Sequence, residues 1–355
     1  MRHLGLAFDI VAIGAALAMK LFVPSRLWVE TAYSNGLYPR IDGAVRAVTG
    51  PIPFTLGDVL FVLALVALVI WWARSLRGVE RPRLLPRIGR VALRTAALGA
   101  FLFVWFIWSW AYNYSRLPVA DKVVLHNERT NSTSVAALAD RVVDELNRNV
   151  KAAHRKRLTH EEAGARLLPT FSATIARLGD RFAFAPPRIK PTIFQSVMEW
   201  TGTDGFTDPW THEVNVDSGA YFFEWPALYA HEWGHISGFA DEAEANFISV
   251  LACTNAADPL LRYSGWILTW FNLPSNAKVT HRMDRQAYRD IMAIQKRYLA
   301  HINRTAEHVQ RIAYNSYLKA NHVEAGYASY QIFVRWLTGA DFDRSGLPIV
   351  RQGVP

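Results

Sequence analysis

Three long apolar segments in the first 115 residues constrain what this chain can fold into more than any other feature. Residues 4–23 are apolar apart from Asp9 and Lys20. Residues 54–73 are almost uniformly apolar after Asp58, and residues 91–112 are interrupted only by Arg94 near their start. Each is long enough to cross the roughly 30 Å hydrocarbon core of a bilayer. A backbone in lipid must satisfy its own hydrogen bonds, so each is expected to be a helix. Positions 74–90, between the second and third segments, hold six arginines. Short Arg-rich loops stay in the cytoplasm. The third segment ends in Trp105, Trp108, Trp110, Tyr112 and Tyr114, an aromatic belt expected at the opposite interface. The expected topology places the N-terminus inside, a loop at 24–53 outside, the arginines inside and everything after Tyr112 outside. Ala16-Leu17-Ala18 would suit signal-peptide cleavage, but Asp9 within the apolar stretch argues against a signal peptide.

The charge follows the same division. The first 115 residues carry 12 Lys/Arg against 5 Asp/Glu, which is seven of the nine net positive charges. The basic balance therefore reports loops beside a lipid bilayer and not a nucleic-acid surface. The lone cysteine, Cys253, excludes an internal disulfide. It lies on an apolar helical stripe with Phe247, Val250 and Leu251, which reads as core packing.

Residues 116–355 carry the chemistry. His231-Glu232-Trp233-Gly234-His235 is an H-E-x-x-H motif. On a helix, residues i and i+4 share a face, so the two imidazoles can grip one Zn²⁺. Glu232 between them is placed to act as general base on a zinc-bound water. Pro226 suits the first turn of that helix, and Gly238 suits its end. A catalytic zinc site wants a third protein ligand, and three carboxylates compete for the place: Asp241, Glu242 and Glu244. Glu242 with Asn246 one turn on resembles the gluzincin peptidases, in which a second helix supplies a Glu ligand and a polar residue one turn later orients a His ligand. Asp241 would give a pattern similar to the metzincins, without a convincing Met-turn after it. Glu244 reads as a capping-box partner of Asp241 or an exposed helix carboxylate.

The rest of this region reads as mostly helical, with helices expected at 135–150, 161–178, 263–271, 285–304 and 305–338. A short strand at 211–217 is a candidate edge for pairing with an extended substrate, with 214–216 its centre. Residues 260–273 are too short to span and read as a packed amphipathic helix, with contact to the membrane surface as a second option. His212 and Glu213 read as a polar strand end more readily than as a second metal site. A peptidase also needs a donor for the developing oxyanion. Tyr263 and Tyr330 are the candidates, with His322 and Tyr327 in reserve.

Many short motifs in order give the chain a resemblance to the bacterial membrane family known as domain of unknown function 3810. They include Tyr33-Ser34-Asn35-Gly36-Leu37-Tyr38-Pro39, Pro53-Phe54-Thr55-Leu56-Gly57-Asp58 and Asn113-Tyr114-Ser115-Arg116. The H-E-x-x-H follows, then Glu242-x-Glu244-Ala245-Asn246-Phe247, Arg262-Tyr263-Ser264-Gly265, Tyr317-Leu318-Lys319-Ala320-Asn321 and Gly326-Tyr327-x-Ser329-Tyr330. The resemblance implies a membrane-anchored, zincin-like fold and favours Glu242 as third ligand. The expected architecture is mainly α: a membrane domain at 1–115 with three transmembrane helices, then a mostly helical α+β extracytoplasmic domain at 116–355. The expected function is a zinc metallopeptidase of a bacterial inner membrane, acting on envelope proteins or peptides. The alternative is a non-catalytic zinc-binding sensor or structural protein.

Overall fold

The computed structural model describes residues 2–321, 323 and 332–354, and it is mainly helical. α1 (Arg2–Leu21) is followed by α2 (Arg26–Trp28), a π-helical stretch (Val29–Leu37) and α3 (Tyr38–Thr49). α4 (Leu56–Leu76) and α5 (Arg81–Ser109) are long and apolar enough to cross a membrane. α1 reaches that standard only when joined to 26–49 across a 108° bend, so the spans number two or three among the described residues. Their surfaces suit lipid: Leu60, Phe61, Leu63, Phe101 and Leu102 stand exposed along α4 and α5.

Two expectations about these segments need correction. The Arg-rich stretch is largely helix, because α4 runs to Leu76 and α5 begins at Arg81. Pro82 sits in the first turn of α5, where a missing N–H costs nothing. The aromatic belt is also split. Trp105 and Trp108 are exposed, but Trp110 is buried beside Val29, Tyr33, Tyr38 and Phe106. These residues form an apolar neck between the spans and the rest of the molecule.

Residues 24–53, expected as an outer loop, are mostly helical and packed into the larger body. The reason is a set of side chains that are satisfied only there. The Tyr38 hydroxyl donates to the Ile236 carbonyl at 3.0 Å, and His212 Nδ1 lies 3.0 Å from Asp42 Oδ1. Glu30, fully buried, holds Arg116 at 2.9 Å and Lys122 at 2.7 Å. Asp180 lies beside the same cations, 3.8 Å from Arg116. Buried charges persist only when paired in this way.

The larger body continues with α6 (Val119–Lys122), α7 (Ser132–Ala153), α8 (His160–Arg177), β1 (Ile189–Lys190), α9 (Gln195–Thr201), β2 (Gly205–Thr207) and β3 (Val214–Val216). Then come α10 (Trp225–Ile236), α11 (Glu242–Thr254), α12 (Pro259–Asn272), α13 (Arg285–His301), α14 (Arg304–Ala320) and α15 (Ile332–Gly339). Asn131 and Thr159 close capping boxes on α7 and α8, which fixes where both begin. The core lies among α7, α8, α10, α11 and α12. Val142, Leu146, Phe171, Trp233, Phe247, Cys253 and Ile267 meet there, each large side chain contributing about 1.5–3 kcal/mol on burial. Cys253 is indeed core, and burial pushes its thiol pKa well up. α12 is a packed helix, buried along most of its length rather than turned to a membrane.

The sheet has the order β1-β3-β2, β1 parallel and β2 antiparallel to β3. β3 is therefore the central strand, not the edge expected for Val214–Val216. The edge beside α10 is β2. Glu213 caps a span: its carboxylate accepts from the Leu56 and Gly57 amides at 3.0 and 2.8 Å, at the N-terminus of α4. Lys190 balances it at 2.6 Å.

Candidate metal centre

α10 begins after Glu224 with Pro226 in its first turn and ends at Ile236. Gly238 takes a left-handed φ of 81°, and the Phe239 amide reaches back to the Gly234 carbonyl at 3.1 Å. This is a Schellman ending. It turns the chain directly into α11, so the two helices pack side by side. The approach is close enough that a Cβ on Gly234 would lie 3.3 Å from the Ala245 Cα.

That packing brings His231, His235 and Glu242 together. Among the described residues they are the one group of His, Cys, Asp or Glu side chains gathered within 4.8 Å that could hold a metal ion. The two Nε2 atoms are 3.1 Å apart, and Glu242 Oε2 lies 3.1 Å from His231 Nε2 and 3.6 Å from His235 Nε2. The outer nitrogens are both engaged: His231 Nδ1 with Asn246 Oδ1 at 2.9 Å, His235 Nδ1 with the Phe239 carbonyl at 3.0 Å. With the Nδ1 hydrogens directed outward, both Nε2 atoms present lone pairs inward. They face a buried carboxylate oxygen that accepts no hydrogen bond. Three acceptors pointing at one another need a cation between them. A proton can serve. Burial works against a charged His235, yet Glu242 and Glu232 lift its pKa to about 9. Burial likewise disfavours charge on Glu242, but His235 and His231 hold its carboxyl well below the ordinary range. A metal ion would replace that shared proton.

Glu232 stands beside the cluster on the same helix, almost fully buried. Its Oε2 accepts from the Thr207 hydroxyl at 2.6 Å. Its Oε1 lies so close to Gly205 that an added Cβ there would sit 2.2 Å away. Burial pushes the Glu232 carboxyl up, with His231, His235 and Thr207 opposing. A carboxylate whose proton affinity is raised, facing open space, can take up and return a proton.

The rival carboxylates are committed elsewhere. Asp241 caps α11 through the Ala243 amide at 2.7 Å. Glu244 is buried, neither a capping-box partner nor exposed, and accepts from the Val119 amide at 2.7 Å. Asn246 sits against His231 as the E-x-x-x-N spacing suggests. Tyr263 is not brought to the cluster: its hydroxyl donates to Asp290 at 2.6 Å, within the core. Tyr330 lies outside the described residues, as do His322 and Tyr327. His212 pairs with Asp42 and is not part of this group. The tyrosine that sequence reasoning missed is Tyr314 on α14, whose hydroxyl donates to Glu242 Oε1. It stacks on Tyr317, which accepts from the Tyr114 hydroxyl at 3.1 Å.

The three clustered side chains, Glu232 and Asn246 line a cleft of about 1310 Å³. Tyr314 and Tyr317 line it too, as do Gly205, Phe206 and Thr207 of β2. Three of the short motifs meet the motif helix α10. Tyr38 and Arg116 both bind carbonyls at the end of α10, those of Ile236 and Ser237. Ser264 accepts from the Ala227 amide near its start. No curated protein and no solved structure matches the chain. A family model does, over residues 33–338, and the chain therefore belongs to the family described as "Protein of unknown function (DUF3810)".

Proposed function

We propose that this protein is a membrane-anchored, zinc-dependent peptidase whose zincin-like catalytic domain faces outward from a bacterial inner membrane. The observation that carries the reading is the convergence of two inward imidazole lone pairs and an unpartnered carboxylate oxygen, with Glu232 in the same cleft. The donor set is two nitrogens and one carboxylate, as expected for a catalytic zinc. Zinc held there would supply Lewis acidity, polarising a carbonyl and bringing the pKa of a water to roughly 7.

The remaining steps fall to the chain's own residues. Glu232 takes a proton from the water whose oxygen bonds to the peptide carbonyl carbon, and returns it to the amine nitrogen as the C–N bond breaks, its acidity tuned by burial and by Thr207. Tyr314 fixes one oxygen of Glu242 so that the other is aimed at the imidazoles, and Asn246 does the same for His231. β2 is a free sheet edge bordering the cleft, and an extended peptide can add to it by main-chain pairing. The six arginines of 74–90 and the exposed Trp105 and Trp108 support the outward orientation.

The test is a comparison of cleaved envelope termini between cells making the wild type and cells making Glu232→Gln, alongside zinc analysis of both purified proteins. Equal zinc with a set of termini lost in the variant supports the reading. Identical termini, or wild-type protein that takes up no zinc, refute it.

A further inference from the structure

The cleft does not open on an ordinary polar surface. Its outer wall is built from positions 191–210, where five large apolar side chains stand exposed, Ile193 66 %, Val197 46 %, Trp200 50 %, Phe206 47 % and Trp210 44 %, with Ser196 and Asp204 exposed among them. Val197 and Trp200, three apart on α9, share one face, and Ile193 stands exposed in the turn just before that helix. The stretch holds no Lys or Arg, and its three carboxylates are all engaged. Asp204 is ion-paired to Arg297 at 3.1 Å, Asp208 accepts from the Trp210 amide at 2.7 Å, and Glu199 is bound by Gln195 and His301. Five large apolar side chains exposed within twenty residues are the mark of a contact surface.

The fold also says what covers it. This wall is fixed to the ends of both spans. Asp58, in the first turn of α4, accepts from the Thr192 hydroxyl at 2.7 Å and the Ile193 amide at 2.9 Å. Phe61, exposed on α4, meets Phe194 edge to face at 5.9 Å. On α5, Trp105 donates to the Trp210 carbonyl at 3.3 Å, and Phe106 packs on the Trp210 ring at 5.6 Å. Phe61 lies about 7.5 Å along α4 from Leu56, at 1.5 Å per residue. Trp105 is one turn from the end of α5. The wall therefore sits level with the interfacial turns of the spans, and its apolar face continues their lipid-facing surface. Exposed Trp and Phe are the side chains that suit this depth.

We propose that positions 191–210 form an apron resting in the headgroup region of the bilayer, and that the cleft is entered along the membrane surface. Phe194, Val197, Phe206 and Trp210 line the same cleft as His231 and Glu232. What reaches the cluster through this mouth is thus a group carried at the bilayer surface rather than one arriving from bulk water.

The test needs no knowledge of substrate and no activity. Single cysteines are introduced at Val197, Trp200 and Phe206, and at exposed Glu161 on α8 as a control; buried Cys253 stays unlabelled. The full chain carries a nitroxide at each site and is reconstituted in phosphatidylcholine–phosphatidylglycerol nanodiscs. Accessibility to oxygen, which concentrates in lipid, is compared with accessibility to a water-soluble nickel chelate. The oxygen-to-nickel ratio is expected to be several-fold higher at 197, 200 and 206 than at 161. Ratios equal to that of the control overturn the proposal. So does protection from both reagents with spin–spin broadening, which would mean that a second copy covers the apron. Because zinc is not involved, failure here is distinct from failure of the peptidase reading.

Discussion

Asp241, Glu242 and Glu244 follow one another within four residues, and the fold gives each a different task. Glu242 faces the imidazoles, Asp241 caps a helix, and Glu244 holds the Val119 amide in the core. Zinc titration of purified variants separates them. Glu242→Ala is expected to abolish tight binding. Asn246→Ala should weaken binding by roughly 10–100-fold, the range for losing a partner that orients a ligand. Asp241→Ala should leave zinc affinity in place and cost about 1 kcal/mol of stability as a lost cap. If Asp241→Ala loses zinc and Glu242→Ala keeps it, the ligand assignment is wrong. Gly205 gives a sharper test of Glu232. Its missing Cβ is the space that the Glu232 carboxylate occupies. Gly205→Ala should therefore displace the base while leaving the three ligands in place. Zinc affinity should be retained, and hydrolysis of a substrate identified from the cleaved termini should fall by about 10²–10⁴-fold, as for loss of a general base. A Gly205→Ala protein with unaltered turnover would exclude Glu232 as that base.

Helix α10 is held at its C-terminal end by residues from the membrane-proximal chain, and the charges behind that hold are out of balance. Glu30, Asp180 and Glu244 share two buried cations, Arg116 and Lys122. Burial pushes the Asp180 carboxyl up to about 7 despite both cations. The folded state thus binds a proton that the unfolded chain, near 3.9, has already released. Stability from this group is intact below about pH 4 and is lost as pH rises through 7, by no more than about 4 kcal/mol. Asp180→Asn removes that dependence. Its melting temperature should come nearest to wild type at about pH 4 and exceed it increasingly up to pH 8; a constant difference across this range would contradict the assignment. None of this network was legible in the sequence, because buried pairing is a tertiary fact. Residues 24–53 read as a loop for the same reason, since their helices are ordered by Glu30, Tyr38 and Asp42 meeting partners far along the chain. Periodic elements were legible. The capped helices α7 and α8, the motif helix with its Gly238 turn, and the Glu242–Asn246 register all follow from local spacing. Tyr314 was not, since it lies 72 residues from the carboxylate it binds. The central position of β3 was hidden too, because strand order depends on β1 and β2, and neither stands out as a strand.

At the scale of the whole molecule, the membrane-proximal chain and the larger body are one structure, which sets two expectations. The first is orientation. A reporter active only outside the cytoplasm should work when fused after Arg116 and fail when fused near Arg83, and the reverse pattern would invert the proposed site of action. The second concerns a fragment spanning 116–355, which contains every candidate ligand yet lacks what supports them. Without Glu30, the buried Arg116 and Lys122 lose their shared partner, and breaking a buried pair typically costs about 3–5 kcal/mol. Without Tyr38, the Ile236 carbonyl at the end of α10 loses its hydroxyl donor. Without Leu56 and Gly57, Glu213 loses both backbone amides it accepts from, and without Thr49, Lys190 loses the carbonyl it donates to at 2.6 Å. Losses of this size rival the 5–15 kcal/mol by which most domains are stable at all. The fragment is therefore expected to unfold without a cooperative transition and to bind zinc far more weakly than the full chain in detergent. Calorimetry and zinc titration of the two side by side decide the matter. A monomeric fragment with a sharp melting transition and undiminished zinc affinity would show that the spans only tether the site. The opposite result would mean that the membrane-proximal helices build it.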